Sequence, residues 1–155
     1  MNIRRAKKDD ILQINKLLHQ VLDIHHKGRP DIFKENAKKY TDNELLNIIE
    51  DDKKPIFVYE ENGKVSGYAF CIFMQHINNN ILTDIKTLYI DDLCVDENER
   101  GKHIGTKLYE YVLDFAKQNG FYNVTLNVWN LNDDAIKFYQ KQGLEIQKIH
   151  MEQIL

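Results

Sequence analysis

The stretch that decides the fold runs from Thr87 to Gly120 and reads T-L-Y-I-D-D-L-C-V-D-E-N-E-R-G-K-H-I-G-T-K-L-Y-E-Y-V-L-D-F-A-K-Q-N-G. Its apolar and β-branched beginning predicts a strand. A polar turn with two glycines follows, and the residues from Gly105 to Gln118 have the spacing of an amphipathic helix. This order brings free backbone N–H groups and the positive end of a helix together, which suits a phosphate-bearing ligand.

Two helices are predicted upstream of this stretch. Apolar residues recur at helical spacing after Asp9, and the pattern stops near Gly28, which disfavours continuation of a helix. A second helix is predicted to begin at Thr41 or Asp42, because Glu44 stands where a capping box places its acidic residue.

The remaining elements are mostly strands. Apolar runs on either side of Asn62-Gly63 predict a β-hairpin with a tight turn. Further elements are predicted as a strand over Ile81–Val95, a strand over Val124–Trp129, a short helix over Asn132–Gln142, and one or two closing strands within Leu144–Leu155.

Hairpins require antiparallel pairing, whereas the strand–helix–strand unit over residues 87–129 requires some parallel pairing. We therefore predict an α/β (α+β) fold with a mixed sheet and helices on its faces. No repeat, linker or low-complexity segment divides the chain, so one domain over residues 1–155 is expected.

Composition restricts the function further. The chain has 155 residues, 43% hydrophobic and 29% charged, and a formal net charge of −3. This balance argues against a nucleic-acid partner bound through bulk charge. Cys71 and Cys94 lie in apolar runs and are expected to be free buried thiols. No secretory or membrane-spanning segment is visible, and no histidine spacing suggests a metal site, so we expect a cytoplasmic, metal-free protein.

The turn Arg100–Thr106 reads R-G-K-H-I-G-T. It matches neither the P-loop nor the dinucleotide-binding glycine pattern. Its glycines lie between a strand end and a helix start, and Arg100 and Lys102 add positive charge there. Anion binding and a plain surface loop with turning glycines are both compatible with these residues alone.

The turn following I-D-D-L-C-V resembles the acetyl-CoA signature of the GNAT superfamily of N-acetyltransferases, (Q/R)-x-x-G-x-(G/A). Arg100 and Gly105 match the ends of the pattern, Gly101 is a common extra glycine, and His103 replaces the middle glycine. Histidine is among the non-glycine residues better tolerated at positive φ. The order of elements and the run W-N-L-N-D-D-A-I-K-F-Y extend the resemblance over the whole chain.

The resemblance implies a GNAT-like, mostly antiparallel mixed sheet with helices on both faces and acetyl-CoA as cosubstrate. It places the pantetheine arm along the strand before the turn, the pyrophosphate on the amides of Gly101 through Thr106, and an asparagine near the thioester. The implied cofactor-binding residues are Leu93, Cys94, Val95, Arg100, Gly101, Lys102, His103, Ile104, Gly105, Thr106 and Asn132.

Acyl transfer to an amine needs a proton acceptor and a proton donor. An alkylammonium with a pKa of about 10.4 must lose a proton, and a thiolate whose thiol has a pKa of about 8.5 leaves more easily when protonated. Tyr139 lies about two helical turns after Asn132, so both can face one ligand. The resemblance assigns the Tyr139 position to protonation of the thiolate, whereas spacing alone is also compatible with a core aromatic residue.

Asp91 and Asp92 are the candidates for the base. Strict alternation places Asp91 on the face of Leu93 and Val95 and Asp92 opposite, although a β-bulge would change that count. Polyamine acetyltransferases carry a Glu-Asp pair here, and this favours Asp91, acting through water. Alternatively, both carboxylates are solvated or only position the substrate. In the branch that acts on ribosomal protein N-termini the base is a glutamate at the position of Asn127, which cannot serve as one.

The sequence therefore predicts acetyl transfer from acetyl-CoA to a primary amine of a small molecule or peptide, by direct attack in a ternary complex. The acids at 91, 92 and 31 suggest a cationic amine, and Arg29 and Asp31 are candidates for selectivity. The alternatives are a non-catalytic acyl-CoA sensor, a protein N-terminal acetyltransferase, and use of another acyl group. The resemblance also allows a homodimer, although the sequence does not identify an interface.

Overall fold

The computed structural model describes residues 2–155. Over this range the chain forms five β-strands and four α-helices, joined by loops and two short 3-10 turns. In chain order they are β1 (Ile3–Arg5), α1 (Ile11–Gly28), α2 (Asp42–Glu50), β2 (Ile56–Glu61), β3 (Lys64–Gln75), β4 (Lys86–Val95), α3 (Ile104–Gln118), β5 (Asn123–Leu126) and α4 (Asp133–Lys141).

The strands form one sheet in the order β1-β2-β3-β4-β5. The first four pair antiparallel, and β4 and β5 pair parallel across the α3 connection. This arrangement confirms the predicted mixed, mostly antiparallel sheet.

Helices cover both faces of the sheet. On one face, Leu17 of α1 and Leu45 of α2 pack with Tyr68 of β3. On the other, Val112 of α3 packs with Leu88 of β4. Alternate residues along the central strands therefore enter two separate apolar layers.

Short sequence patterns correctly predicted the position of a hairpin turn and of a helix start. Asn62 and Gly63 have φ values of 51° and 78°, the left-handed pair that a tight two-residue hairpin turn requires. The Thr41 side chain accepts a hydrogen bond from the Glu44 amide at 3.2 Å and caps α2. Both features confirm predictions from short sequence patterns.

The strand predicted from Ile81 begins instead at Lys86. The amides of Ile81 and Leu82 each donate a 2.9 Å hydrogen bond to the side-chain oxygen of Asn79. An asparagine turn of this kind competes with a β-ladder for the same backbone donors. The apolar residues that suggested an earlier start therefore belong to the β3–β4 loop.

A β-bulge interrupts β4 at Asp91. Phe70 pairs with Asp92, whereas the next residue of β3, Cys71, pairs with Ile90, so Asp91 is the extra residue. The strict alternation that placed Asp91 on the opposite face from Asp92 is wrong here. Both carboxylates reach tyrosines of the α1–α2 layer, Asp91 through Tyr40 and Asp92 through Tyr68.

The closing strands predicted within Leu144–Leu155 are absent from the described structure. The Leu144 amide donates to the Tyr139 carbonyl at 3.1 Å, and residues 145–155 make no recorded backbone–backbone hydrogen bond. A strand needs a partner as well as apolar, β-prone residues, and among residues 2–155 no strand pairs with this segment. The predicted strand Val124–Trp129 is also shorter and ends at Leu126.

Candidate active site

Strands β4 and β5 separate partway along their length. Their pairing runs from Thr87 opposite Asn123 to Ile90 opposite Leu126 and goes no further. Beyond the bulge, Leu93–Val95 pair only with β3 among the described residues. The other edge of this segment therefore presents free backbone N–H and C=O groups to an opening beside β5, as an added extended ligand would require.

The polar turn leads from this open edge into α3. Gly101 has φ 83°, and His103, the residue before the helix, has φ 60° and ψ 22°. The histidine thus occupies the left-handed conformation for which glycine was expected, at the start of a 15-residue helix. A Cβ on Gly105 would meet the Phe138 ring at 3.4 Å, so the glycine lets α4 approach the first turn of α3 closely.

The charges around the turn are partly paired. Glu99 receives ion pairs from Lys102 and from Lys64, the latter at 2.6 Å. These two lysines lower the pKa of Glu99 to about 2. Arg100 makes no side-chain ion pair or hydrogen bond recorded within residues 2–155, so it is the basic side chain of the turn that is free for an anion.

Tyr139 lies on α4, half-buried, with ring centroids 5.1 Å from Phe138 and 6.4 Å from Tyr109. Burial and then the negative charge of Asp92 raise the pKa of Tyr139 above its ordinary value. Its phenol is therefore protonated at neutral pH. Asn132 caps the same helix, because its side-chain oxygen accepts a 3.2 Å hydrogen bond from the Ala135 amide.

The two carboxylates beside the bulge have different surroundings. Tyr40 donates a hydrogen bond to one oxygen of Asp91, and Lys39 forms an ion pair with the other at 3.0 Å. Tyr68 donates to Asp92 Oδ2 at 2.6 Å. Desolvation raises the pKa of Asp92 to about 6, against the opposing effects of the Tyr68 hydrogen bond and the Lys39 charge.

Lys39, Tyr40 and Tyr68 are the site residues that the sequence did not reveal. Tyr40 and Asp91 are 51 positions apart, and Tyr68 and Asp92 are 24 apart. Only the antiparallel β3–β4 pairing and the packing of the α1–α2 layer bring them together. No local pattern around either tyrosine signals a hydrogen bond to these carboxylates.

Cys94, placed on the open strand, is buried. Its Sγ–H points to the Leu17 carbonyl at 3.7 Å, and burial raises the pKa of the thiol. A protonated thiol directed into the α1–α2 layer is not an activated nucleophile. The Asp96 amide donates to the Ser66 carbonyl of β3, and by alternation along the ladder the backbone groups of Cys94 also point toward β3. The free backbone groups at the opening are therefore those of Leu93 and Val95.

An aromatic cluster lies at the end of α1. Phe33 contacts His25 at a ring-centroid distance of 4.9 Å and Trp129 at 5.1 Å. Nearby, Arg29 bridges Asp31, at 2.8 Å, and Glu152. Trp129 is 43% exposed, so the cluster is open to solvent on one side.

Asn127, just after β5, donates from its side-chain nitrogen to the Tyr89 hydroxyl at 3.3 Å. Across residues 2–155, no group of three His, Cys, Asp or Glu side chains is placed to hold a metal ion. None of the helices described is long and apolar enough to cross a bilayer.

The open edge of β4, the turn at the start of α3 and the separation of β4 from β5 lie next to one another in the chain. A sequence model of the acetyltransferase (GNAT) family matches residues 18–144. The chain belongs to this family.

The relatives include two uncharacterised N-acetyltransferases. YhfO of Bacillus subtilis is 30% identical over 146 residues, which cover 94% of this chain and 90% of YhfO. The other, from Methanocaldococcus jannaschii, is 28% identical over 151 residues, 95% of this chain. The match spans only 62% of that relative's length.

Solved structures share the whole fold. A mutant of the BH1408 protein from Bacillus halodurans is 32% identical, has a TM-score of 0.95, and is matched over 100% of this chain and 99% of its own. An aminoglycoside N-acetyltransferase solved in complex with CoA is 15% identical, with a TM-score of 0.73 over 99% and 98% of the two chains. At that identity the second likeness concerns the fold alone.

Proposed function

We propose that the protein transfers an acetyl group from acetyl-CoA to a primary amine by direct attack in a ternary complex. The observation that carries the proposal is the separation of β4 from β5 next to the turn before α3. Acetyl-CoA would supply the activated acetyl thioester. The chain's own residues would bind it, orient it and move two protons.

The open edge of β4 fits the pantetheine arm, because the amides and carbonyls of Leu93 and Val95 face away from β3 and have no strand on that side. The turn fits a diphosphate. Two left-handed positions, Gly101 and His103, lie on either side of Lys102 and turn the backbone into the N-terminus of α3. There N–H groups are free and anions are favoured. Arg100 adds an unpaired positive charge, and Lys102 could join it by leaving Glu99.

Asp92 is the better candidate for the base. A base near neutral pH needs a pKa close to that pH, and desolvation raises that of Asp92 to about 6. Asp91, favoured by the sequence, already has both carboxylate oxygens engaged, one by Lys39 and one by Tyr40. We assign Asp91 to holding the loop before α2 against β4, and Asp92 to accepting the proton of the amine, directly or through water.

Tyr139 is the proposed acid. Its half-buried phenol is protonated at neutral pH, because burial and then the negative charge of Asp92 raise its pKa. The proposed proton acceptor and the proposed proton donor therefore influence each other's charge. One would take the proton from the amine, and the other would give a proton to the leaving thiolate.

The ion pairs of the acidic residues indicate what kind of acceptor amine the site would bind. Lys39 neutralises Asp91, and Arg29 neutralises Asp31, so two of the three acids expected to attract a cation are occupied. Asp92 remains for one amino group. This supports an acceptor with a single reacting primary amine, on a small molecule or peptide, over a polycation held by several acids. A cytoplasmic location and one domain over residues 1–155 complete the proposal.

A panel of monoamines, polyamines, amino sugars and peptides, assayed by release of the CoA thiol, tests the function. We expect release that depends on a monoamine acceptor, and a large loss in Tyr139→Phe. Reaction with polyamines alone would contradict the acceptor proposal. Tight acetyl-CoA binding without turnover on any acceptor would instead identify an acyl-CoA sensor.

A further inference from the structure

The loop between α1 and α2 reaches both sides of the gap between β4 and β5. On the β4 side, Lys39 forms a 3.0 Å ion pair with Asp91, and Tyr40 donates a hydrogen bond to the same carboxylate. On the β5 side, Phe33 packs edge-to-face on Trp129, with ring centroids 5.1 Å apart. Trp129 lies shortly after the end of β5. One loop therefore joins the carboxylates of β4 to an aromatic surface across the gap.

The aromatic cluster of His25, Phe33 and Trp129 lies close to the proposed base. His25 and Phe33 are in contact, with ring centroids 4.9 Å apart. Burial and then the positive charge of Lys39 lower the pKa of His25. The same charge opposes the desolvation that raises the pKa of Asp92. Because salt screens charges over about 10 Å, the Lys39 ammonium lies near both the cluster and this carboxylate.

The aromatic cluster is part of an exposed apolar surface. Trp129 is 43% exposed, and Leu131 in the same segment is 64% exposed. A Cβ on Gly28, the last residue of α1, would lie 4.0 Å from the Leu131 side chain, so the segment after β5 packs beside the end of that helix. Ile32, next to Phe33 in the loop, is 47% exposed. Aromatic and aliphatic groups gathered beside a polar site are typical of a ligand surface.

The charged groups beside the aromatic cluster are paired with one another. Arg29 forms an ion pair with Asp31 at 2.8 Å and a second with Glu152. The lowered pKa of His25 keeps its imidazole neutral at pH 7. A polycation or an amino sugar would therefore bring charged or hydroxyl groups against apolar rings, which is unfavourable because those groups lose their water.

We propose that the acceptor is a small primary amine that carries an aromatic ring, with the ring packed on Phe33 and Trp129 and the amino group directed to Asp92. This inference rests on the proposed acetyl transfer. Aromatic rings attract one another in edge-to-face and offset arrangements, and Trp129 offers an exposed ring for that contact. In the reaction the amine nitrogen bonds to the acetyl carbon as the C–S bond breaks. The amine proton passes to Asp92, and Tyr139 protonates the thiolate.

Steady-state kinetics with 2-phenylethylamine and n-butylamine test this substrate class. Both are primary monoamines, and only the first carries an aromatic ring. We expect kcat/KM to be at least about tenfold higher for 2-phenylethylamine, mostly through a lower KM, because the ring gains contacts with the cluster. Trp129→Ala should raise KM for 2-phenylethylamine at least about fivefold and bring the two amines to within about twofold of each other. Tyr122→Ala, at an aromatic residue 74% exposed just before β5, is the matched control and should keep the preference.

The fluorescence of Trp129 tests the ring contact without turnover, because it is the one tryptophan of the sequence. In the presence of CoA, 2-phenylethylamine should change the emission in a saturable way, and n-butylamine at the same concentration should not. Equal kcat/KM for the two amines, a preference kept by Trp129→Ala, or emission unchanged by 2-phenylethylamine would each overturn the inference and leave acetyl transfer in place. Absence of transfer to every amine tested would contradict the proposed function instead.

Discussion

The Tyr68 hydroxyl donates a 2.6 Å hydrogen bond to Oδ2 of Asp92. Tyr68 is fully buried on β3, and Asp92 follows the bulge of β4. The bulge turns the carboxylate toward the α1–α2 layer, where desolvation raises its pKa to about 6 and the tyrosine limits that rise. One irregularity in strand pairing thus sets both the direction and the basicity of the proposed base.

Asp92→Asn should abolish most turnover, because the amide cannot accept the proton of the amine. We expect kcat to fall by about 10²- to 10⁴-fold, the usual contribution of a general base. In the wild type, kcat/KM should fall below pH 6 as Asp92 becomes protonated, and this limb should be missing in the variant. Asp91→Asn is the matched control and should retain the limb. The assignment fails if Asp91→Asn, and not Asp92→Asn, removes it.

Tyr68→Phe should move the acidic limb of the pH profile to higher pH. The lost hydrogen bond stabilises the charged carboxylate of Asp92, so its removal raises the pKa of that group further. The measurement is kcat/KM against pH. A limb that stays in place while activity drops would mean that Tyr68 acts only in packing.

Tyr139→Phe should lower kcat more than it changes the affinity for acetyl-CoA. The variant removes the phenolic proton and keeps the ring that packs on Phe138 and Tyr109. Isothermal titration with CoA, beside steady-state kinetics, separates the two effects. An unchanged kcat would remove Tyr139 from the mechanism.

His103→Val should destabilise the fold by about 1 to 3 kcal/mol, because a β-branched residue at φ 60° is strained. Urea unfolding measures the loss. His103→Asn is the matched control, since asparagine tolerates this conformation, and should leave the free energy of unfolding nearly unchanged. Equal effects of the two variants would show that the backbone conformation is not the cause.

Arg4→Met should cost about 2 to 4 kcal/mol at neutral pH, because it leaves the buried carboxylate of Asp10 without its partner. Although desolvation opposes it, the Arg4 hydrogen bond contributes to a pKa of Asp10 below the ordinary value. A lowered pKa gives stability that is present above the ordinary aspartate pKa and is lost as pH falls through the folded-state value.

The deficit of Arg4→Met should therefore shrink in acid. Lys8→Met, which breaks an exposed ion pair with Glu50 at 2.9 Å, is its control and should leave stability almost unchanged. Equal losses in the two variants would contradict a special role for the buried pair.

The parts of the fold that depend on residues close together in the sequence could be predicted from the sequence. The Asn62-Gly63 turn and the Thr41 cap depend on residues only a few positions apart. The bulge at Asp91 and the tyrosines that bond the carboxylates depend on pairing between distant segments. Residues 145–155 have the apolar pattern of a strand but make no recorded backbone–backbone hydrogen bond within residues 2–155, and the sequence pattern could not show this lack of a partner.

The most direct test uses acetyl-CoA labelled with ¹³C in the acetyl group and mass spectrometry of the products. The proposed function predicts that a primary monoamine gains the labelled acetyl group, that one CoA thiol appears for each product, and that Asp92→Asn and Tyr139→Phe lose both together. Bound acetyl-CoA that never transfers its label to any amine in the panel would contradict it.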